Sequence, residues 1–103
     1  MAVVFSDVVS STELWSHLGD TVAESVRHRH HDACVQAVES AGGLVVKNLG
    51  DGLMATFPTV SASLDGAVAL QSATVQVARA MAVPQLALRV GISLGEATRE
   101  GDD

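Results

Sequence analysis

The sequence predicts an α+β sandwich: a mixed sheet with helices packed on one face. Short apolar runs of strand length alternate with longer segments of helical period, and a Gly-rich polar turn joins two of the runs into a hairpin. No internal repeat or linker interrupts the order strand, helix, helix, hairpin, helix, strand. At 103 residues the chain is one domain or part of one, able to bury very roughly two-thirds of its unfolded surface.

Ala2 to Ser6 is rich in Val and Phe and too short for a helix, so it reads as a buried strand with Asp7 at its C-terminal end. Ser10, Ser11 and Thr12 offer N-cap hydroxyls to a short helix carrying Glu13, Leu14, Trp15 and Leu18, which Gly19 can end with left-handed backbone. Asp20 then caps a longer helix to about Ala41. Val22, Val26, Ala33, Ala37 and Val38 lie near one face of it, Arg27, His28, His31 and Glu39 lie off that face, and Gly42-Gly43 stops it.

Leu44 to Lys47 and Leu53 to Phe57 are strand-like runs joined by a turn containing Asn48 and Gly50-Asp51-Gly52, which places Asp51 at a hairpin tip. Pro58 ends the second strand. Ser61 to about Ala82 is an Ala-rich helix whose expected buried stripe is Leu64, Val68, Val75 and Ala78, with Gly66 weakening its first turn. After Pro84, Leu86 to Ile92 reads as a nearly continuous apolar strand, and Gly91 and Gly95 bracket a tight bend before the acidic end.

Composition narrows the function classes. Hydrophobic residues at 48% and charged residues at 17% exclude disorder, and an aromatic content of 3% makes the core aliphatic. A net charge of −6 argues against a nucleic-acid module, because such binding rests on Lys and Arg displacing counterions. An acidic chain binds a nucleotide readily only when metal ions supply the positive charge. Cys34 is the only cysteine, which excludes an intrachain disulfide and reads as a small buried hydrophobe in a helix. With no leader pattern and no apolar run near the ~20 residues of a membrane span, the chain is expected to be soluble, unexported and cytoplasmic.

Two stretches carry the candidate chemistry. Phe5-Ser6-Asp7-Val8-Val9-Ser10-Ser11-Thr12 and Lys47-Asn48-Leu49-Gly50-Asp51-Gly52 each place a carboxylate where a strand gives way to a turn. Mg²⁺ is commonly held by one or two carboxylates plus substrate phosphate oxygens, so two such aspartates suffice. The peptide N–H groups from Val9 to Thr12 lie at an expected helix start, where anions are favoured. Spacing alone leaves plainer roles open: Asp7 and Ser10 as N-caps, Asp51 as a turn residue, Lys47 as a solvated edge-strand lysine. His28, His30 and His31 raise a transition-metal site, but His30 points away from the other two, and a solvated polar face accounts for them better.

In this order the motifs resemble the catalytic domain of class III nucleotidyl cyclases, most nearly the bacterial adenylyl branch. The resemblance runs from Val3 to Asp103. It rests on the two acidic stretches, the second extended through Leu53-Met54-Ala55-Thr56-Phe57, on Leu88-Arg89-Val90-Gly91-Ile92-Ser93-Leu94-Gly95-Glu96, and on the closing Gly101-Asp102-Asp103. It implies a ferredoxin-like α/β sandwich of the cyclase type, of which residues 1–103 form the N-terminal two-thirds, the C-terminal part being absent.

The resemblance also implies roles. Asp7 and Asp51, with the backbone carbonyl of Val8, hold two Mg²⁺ or Mn²⁺ ions. One ion activates the ribose 3′-hydroxyl and the other anchors the β and γ phosphates, so that ATP yields 3′,5′-cyclic AMP and pyrophosphate. The backbone of Val9, Ser10, Ser11 and Thr12 meets the phosphates. Lys47 and Asp103 read adenine, the first by donating to a ring nitrogen and the second by accepting from the amino group. Family members work as homodimers, with the metal aspartates of one domain facing the base-reading and transition-state groups of its partner.

The family's later Asn and Arg, which hold the ribose and stabilise developing charge, have no counterpart here, and Arg89 and Arg99 match neither. The chain is therefore expected to be a fragment with intact metal ligands, binding ATP but weak or inactive in turnover. The alternative is a non-catalytic nucleotide-binding or dimerising sensor module derived from a cyclase. A diguanylate cyclase is disfavoured, because no Gly-Gly-Asp/Glu-Glu-Phe run is present.

Overall fold

A computed structural model describes residues 1–95. The elements, in chain order, are β1 (Ala2–Val8), α1 (Ser11–Leu18), α2 (Asp20–Ser40), β2 (Leu44–Asn48), β3 (Gly52–Phe57), α3 (Val60–Ala80) and β4 (Leu88–Leu94). The four strands form one sheet in the order β2-β3-β1-β4. This is the split β-α-β topology: the strands joined through helices, β1 to β2 and β3 to β4, run parallel but never touch, since β3 and β1 respectively lie between them. The sheet expected to be mixed thus has only antiparallel pairings among the described residues.

Strict alternation in β1 decides which face is covered. Ala2, Val4, Ser6 and Val8 are buried against the helices, while Phe5 and Asp7 are exposed on the other face. Leu53, Ala55 and Phe57 of β3 complete the covered side, and Val26, Cys34, Val38, Leu70 and Val77 come down onto it from α2 and α3. The core is aliphatic, as the composition requires, with Phe57 as its largest fully buried side chain.

Several helix faces differ from the periodicity reading. In α2, Val22 is exposed and His30 is only 5% exposed, because the buried line runs Ala23, Val26, His30, Cys34, Ala37, Val38. Gly19, not Asp20, occupies the N-cap position, so Asp20 is a first-turn acid that favours the helix dipole without capping it. In α3 the expected stripe of Leu64, Val68 and Val75 is exposed, and Ser63, Gly66, Leu70, Thr74 and Val77 face inward with Ala78. The reason is Phe57, whose ring lies 2.4 Å from where a Cβ on Gly66 would be, so small residues must face the sheet there. Thr59, whose hydroxyl accepts from the Ala62 N–H at 3.0 Å, caps α3 one residue earlier than expected. Gly91 lies inside β4 opposite Phe5, not in a bend.

Candidate functional site

The end of β1 and the β2–β3 turn are joined backbone to backbone. Val8 N–H donates to the Asp51 carbonyl at 2.9 Å, and Asp7 pairs with Gly52 across β1 and β3. Gly52 is required there, since a Cβ on it would meet the Ser6 carbonyl oxygen at 1.8 Å. The turn itself is set by Gly50, at φ +89°, whose N–H donates to Asn48 Oδ1 at 2.9 Å, and by Leu49 N–H donating to the Gly52 carbonyl at 2.8 Å. Two aspartates 44 positions apart are thereby brought to one rim of the sheet.

Their side chains have different partners. Asp7 lies on the open face, where Arg89, opposite it on β4, approaches its carboxylate at 3.5 Å. Asp51 is half-buried and turned toward α1, where Trp15 Nε1 donates to its Oδ1 at 3.0 Å. Both side chains of the Asp7–Arg89 pair are more than half exposed, and such pairs contribute about 0–1 kcal/mol, so the contact holds the Asp7 carboxylate only weakly. Behind Asp51 a cavity of about 30 Å³ is lined by Ser6, Trp15, His30, Cys34 and Leu53 among others. It has room for little more than a water, so any nucleotide must lie outside it.

The turn between Asp7 and α1 presents donors. Ser10 sits at the N-cap in left-handed backbone, φ 50° and ψ 46°, and its hydroxyl makes no cap hydrogen bond. The first intrahelical bond is from Leu14 N–H to the Ser10 carbonyl at 3.0 Å, so the N–H groups of Ser11, Thr12 and Glu13 precede the ladder. Val9 differs from the expected set: its N–H donates to the Ala87 carbonyl at 2.9 Å and is already engaged.

Lys47 lies on the open face of β2, opposite Met54 and beside a bulge between Val45 and Lys47. It shares that face with Asp7 but stands two strands away, about 10 Å across the sheet. Asp103 lies outside the described residues. Among those described, no cluster of three or more His, Cys, Asp or Glu is placed to hold a metal, and His28 pairs with Asp32 at 3.5 Å across one helix turn. Trp15 and Arg89, which periodicity treats as a helix apolar and a strand cation, emerge as the direct partners of the two aspartates. The lone Trp beside the acidic motif was visible in sequence, but the cross-strand register that brings Arg89 to Asp7 was not.

Comparison with known proteins bears on this arrangement. The family model described as the adenylate and guanylate cyclase catalytic domain matches residues 1–101. An adenylate cyclase of Podospora anserina is 31% identical over 71 residues, covering 69% of this chain and 3% of that protein. One of Lachancea kluyveri is 32% identical over 71 residues, covering 69% of this chain and 4% of that protein. Among solved structures, a bacterial light-regulated adenylyl cyclase superposes with a TM-score of 0.80 at 23% identity, over 91% of this chain and 52% of that one. The guanylyl cyclase Cya2 superposes at 0.75 with 17% identity, over 95% of this chain and 59% of that one. The chain thus spans a few per cent of its curated relatives and about half of the structural ones. With the matched family covering residues 1–101 and the split β-α-β sheet superposing on cyclase domains, the chain belongs to the class III nucleotidyl cyclase catalytic-domain family.

Proposed function

We propose that this chain binds a divalent-metal complex of ATP at the rim where β1 meets the β2–β3 turn, as part of the machinery that forms 3′,5′-cyclic AMP and pyrophosphate. The observation that carries the reading is the Val8–Asp51 backbone bond. It holds two aspartates from separate strands next to each other and next to the start of α1.

The donor set suits the metal. Two carboxylates and a peptide carbonyl are hard oxygen ligands, the kind Mg²⁺ and Mn²⁺ take, with no soft ligand at the rim apart from the buried Cys34 behind it. When bound, the ions supply charge neutralisation and a lowered barrier for attack on the α-phosphorus. Asp7 and Asp51 hold them with the Val8 carbonyl. The N–H groups of Ser11, Thr12 and Glu13 face the triphosphate, and Arg89, released from Asp7, is a further cation for it.

Lys47 favours adenine. Its ammonium only donates, which suits an acceptor nitrogen of adenine, whereas guanine presents an N–H at the corresponding ring position. The distance between Lys47 and Asp7 on one face is consistent with a composite site, in which the metal rim of one copy faces the base-reading lysine of another. The uncovered sheet face, with Phe5 42% exposed and Leu44 63%, is available for such an approach.

Calorimetric titration with Mn²⁺ and ATP tests the proposal. Micromolar to millimolar binding by the wild-type chain, lost at least tenfold in Asp7→Ala and Asp51→Ala, is expected, with little or no cyclic AMP formed. Absence of binding leaves only a structural role, and robust Mn²⁺-dependent cyclisation overturns the prediction of weak turnover.

A further inference from the structure

We infer that Trp15 is a positioning residue for the second metal carboxylate: its indole N–H orients Asp51 so that the remaining lone pairs of the carboxylate face the metal. The inference rests on the metal-binding reading of Asp51. Asp51 lies at the tip of a tight turn, next to an exposed glycine at φ +89°, where a side chain has little backbone-imposed direction. Trp15 Nε1 reaches it from α1, 36 positions away in sequence, and donates to Oδ1 at 3.0 Å.

An indole is donor-only, so its single N–H defines the geometry without competing as a metal ligand. An ionised carboxylate has about four lone-pair sites, and this bond takes one of them. The ring is itself held on two sides. It packs against the buried cluster that includes Leu14 and Val26, and the Arg27 guanidinium carbon lies 5.3 Å from its centroid. Two helices, α1 through Trp15 and α2 through Arg27, thus fix one carboxylate on a loop. Outer-shell donors of this kind are worth about 10- to 100-fold in metal affinity.

A purely structural Trp15 would fill the gap between α1 and the core and leave metal affinity alone. The test separates the two roles. Trp15→Phe keeps an aromatic ring and removes the donor, and replacement by benzothienylalanine keeps the ring size as well, should the phenylalanine variant fail to fold. Trp15 is the only tryptophan, so its indole N–H gives one resolvable resonance in a ¹H–¹⁵N spectrum of the full chain.

That resonance should shift when Asp51→Asn is introduced without metal, and in the wild-type chain it should move on Mg²⁺ addition. Mn²⁺ affinity, read by electron paramagnetic resonance, should fall about tenfold or more in the donor-less variant while its far-ultraviolet circular dichroism stays native. Equal Mn²⁺ affinity in a folded donor-less variant overturns the positioning role and leaves the metal reading intact. No Mn²⁺ binding by the wild-type chain removes both.

Discussion

His30 shows at the residue scale how a polar side chain enters an aliphatic core. It is 5% exposed, and its Nε2 lies 2.9 Å from the Thr74 hydroxyl, which in turn donates to the Leu70 carbonyl at 2.9 Å. Burial, and secondarily the neighbouring His31, holds its pKa below the usual histidine range. The folded state therefore resists protonation more than the unfolded one, so stability is full above the unfolded pKa near 6.5 and is lost as pH falls below it. Urea midpoints are expected to drop between pH 7.5 and pH 5.5 and to drop less in His30→Gln; an equal slope in both would contradict the assignment. The same burial pushes the Cys34 thiol up to about 11, with the Thr74 hydroxyl acting in the opposite direction. That agrees with Cys34 as a small buried side chain. Its burial was legible from the residue type, whereas the partner that lets His30 stay buried sits 44 positions away and left no local signal.

Among the elements, strand positions were the most legible and helix faces the least. The short Val- and Phe-rich run of β1, Pro58 after β3 and the Gly-rich turn located their elements to within a residue or two, because each reflects local chain chemistry. In α3 so many positions are apolar that a 3.6-residue period fits more than one face, and the face is chosen by what lies across from it. That is Phe57, 1% exposed, hemmed by Gly43 and Gly66 at 2.4 Å each from where their Cβ atoms would stand. Gly66→Ala would gain about 1 kcal/mol in helix propensity. The ring has nowhere to move, so overpacking, typically about 1–3 kcal/mol, should win and lower the unfolding midpoint. A raised midpoint would show that α3 slides to accommodate the methyl. The site divides in the same way: Asp7 and Asp51 were legible as carboxylates ending strands, but Trp15 and Arg89 acquire meaning only from register and packing.

On the scale of the whole molecule, the split β-α-β order explains how two acidic motifs distant in sequence come to one rim of the sheet. β1 lies at the centre of the sheet, between β3 and β4, so its C-terminal end meets the β2–β3 turn on one side and Arg89 on the other. Helices cover only one face, leaving Asp7, Lys47 and Arg89 together on the other. No helix among the described residues is long and apolar enough to cross a membrane. The metal's location at this rim is tested most directly by paramagnetic broadening with substoichiometric Mn²⁺ in the presence of ATP. Amide and indole resonances of Asp7, Val8, Trp15, Asp51 and Gly52 should broaden first, and Asp7→Asn should abolish the effect. Broadening centred on His28 and Asp32, or none at millimolar Mn²⁺, would contradict the assignment of the rim as the metal site.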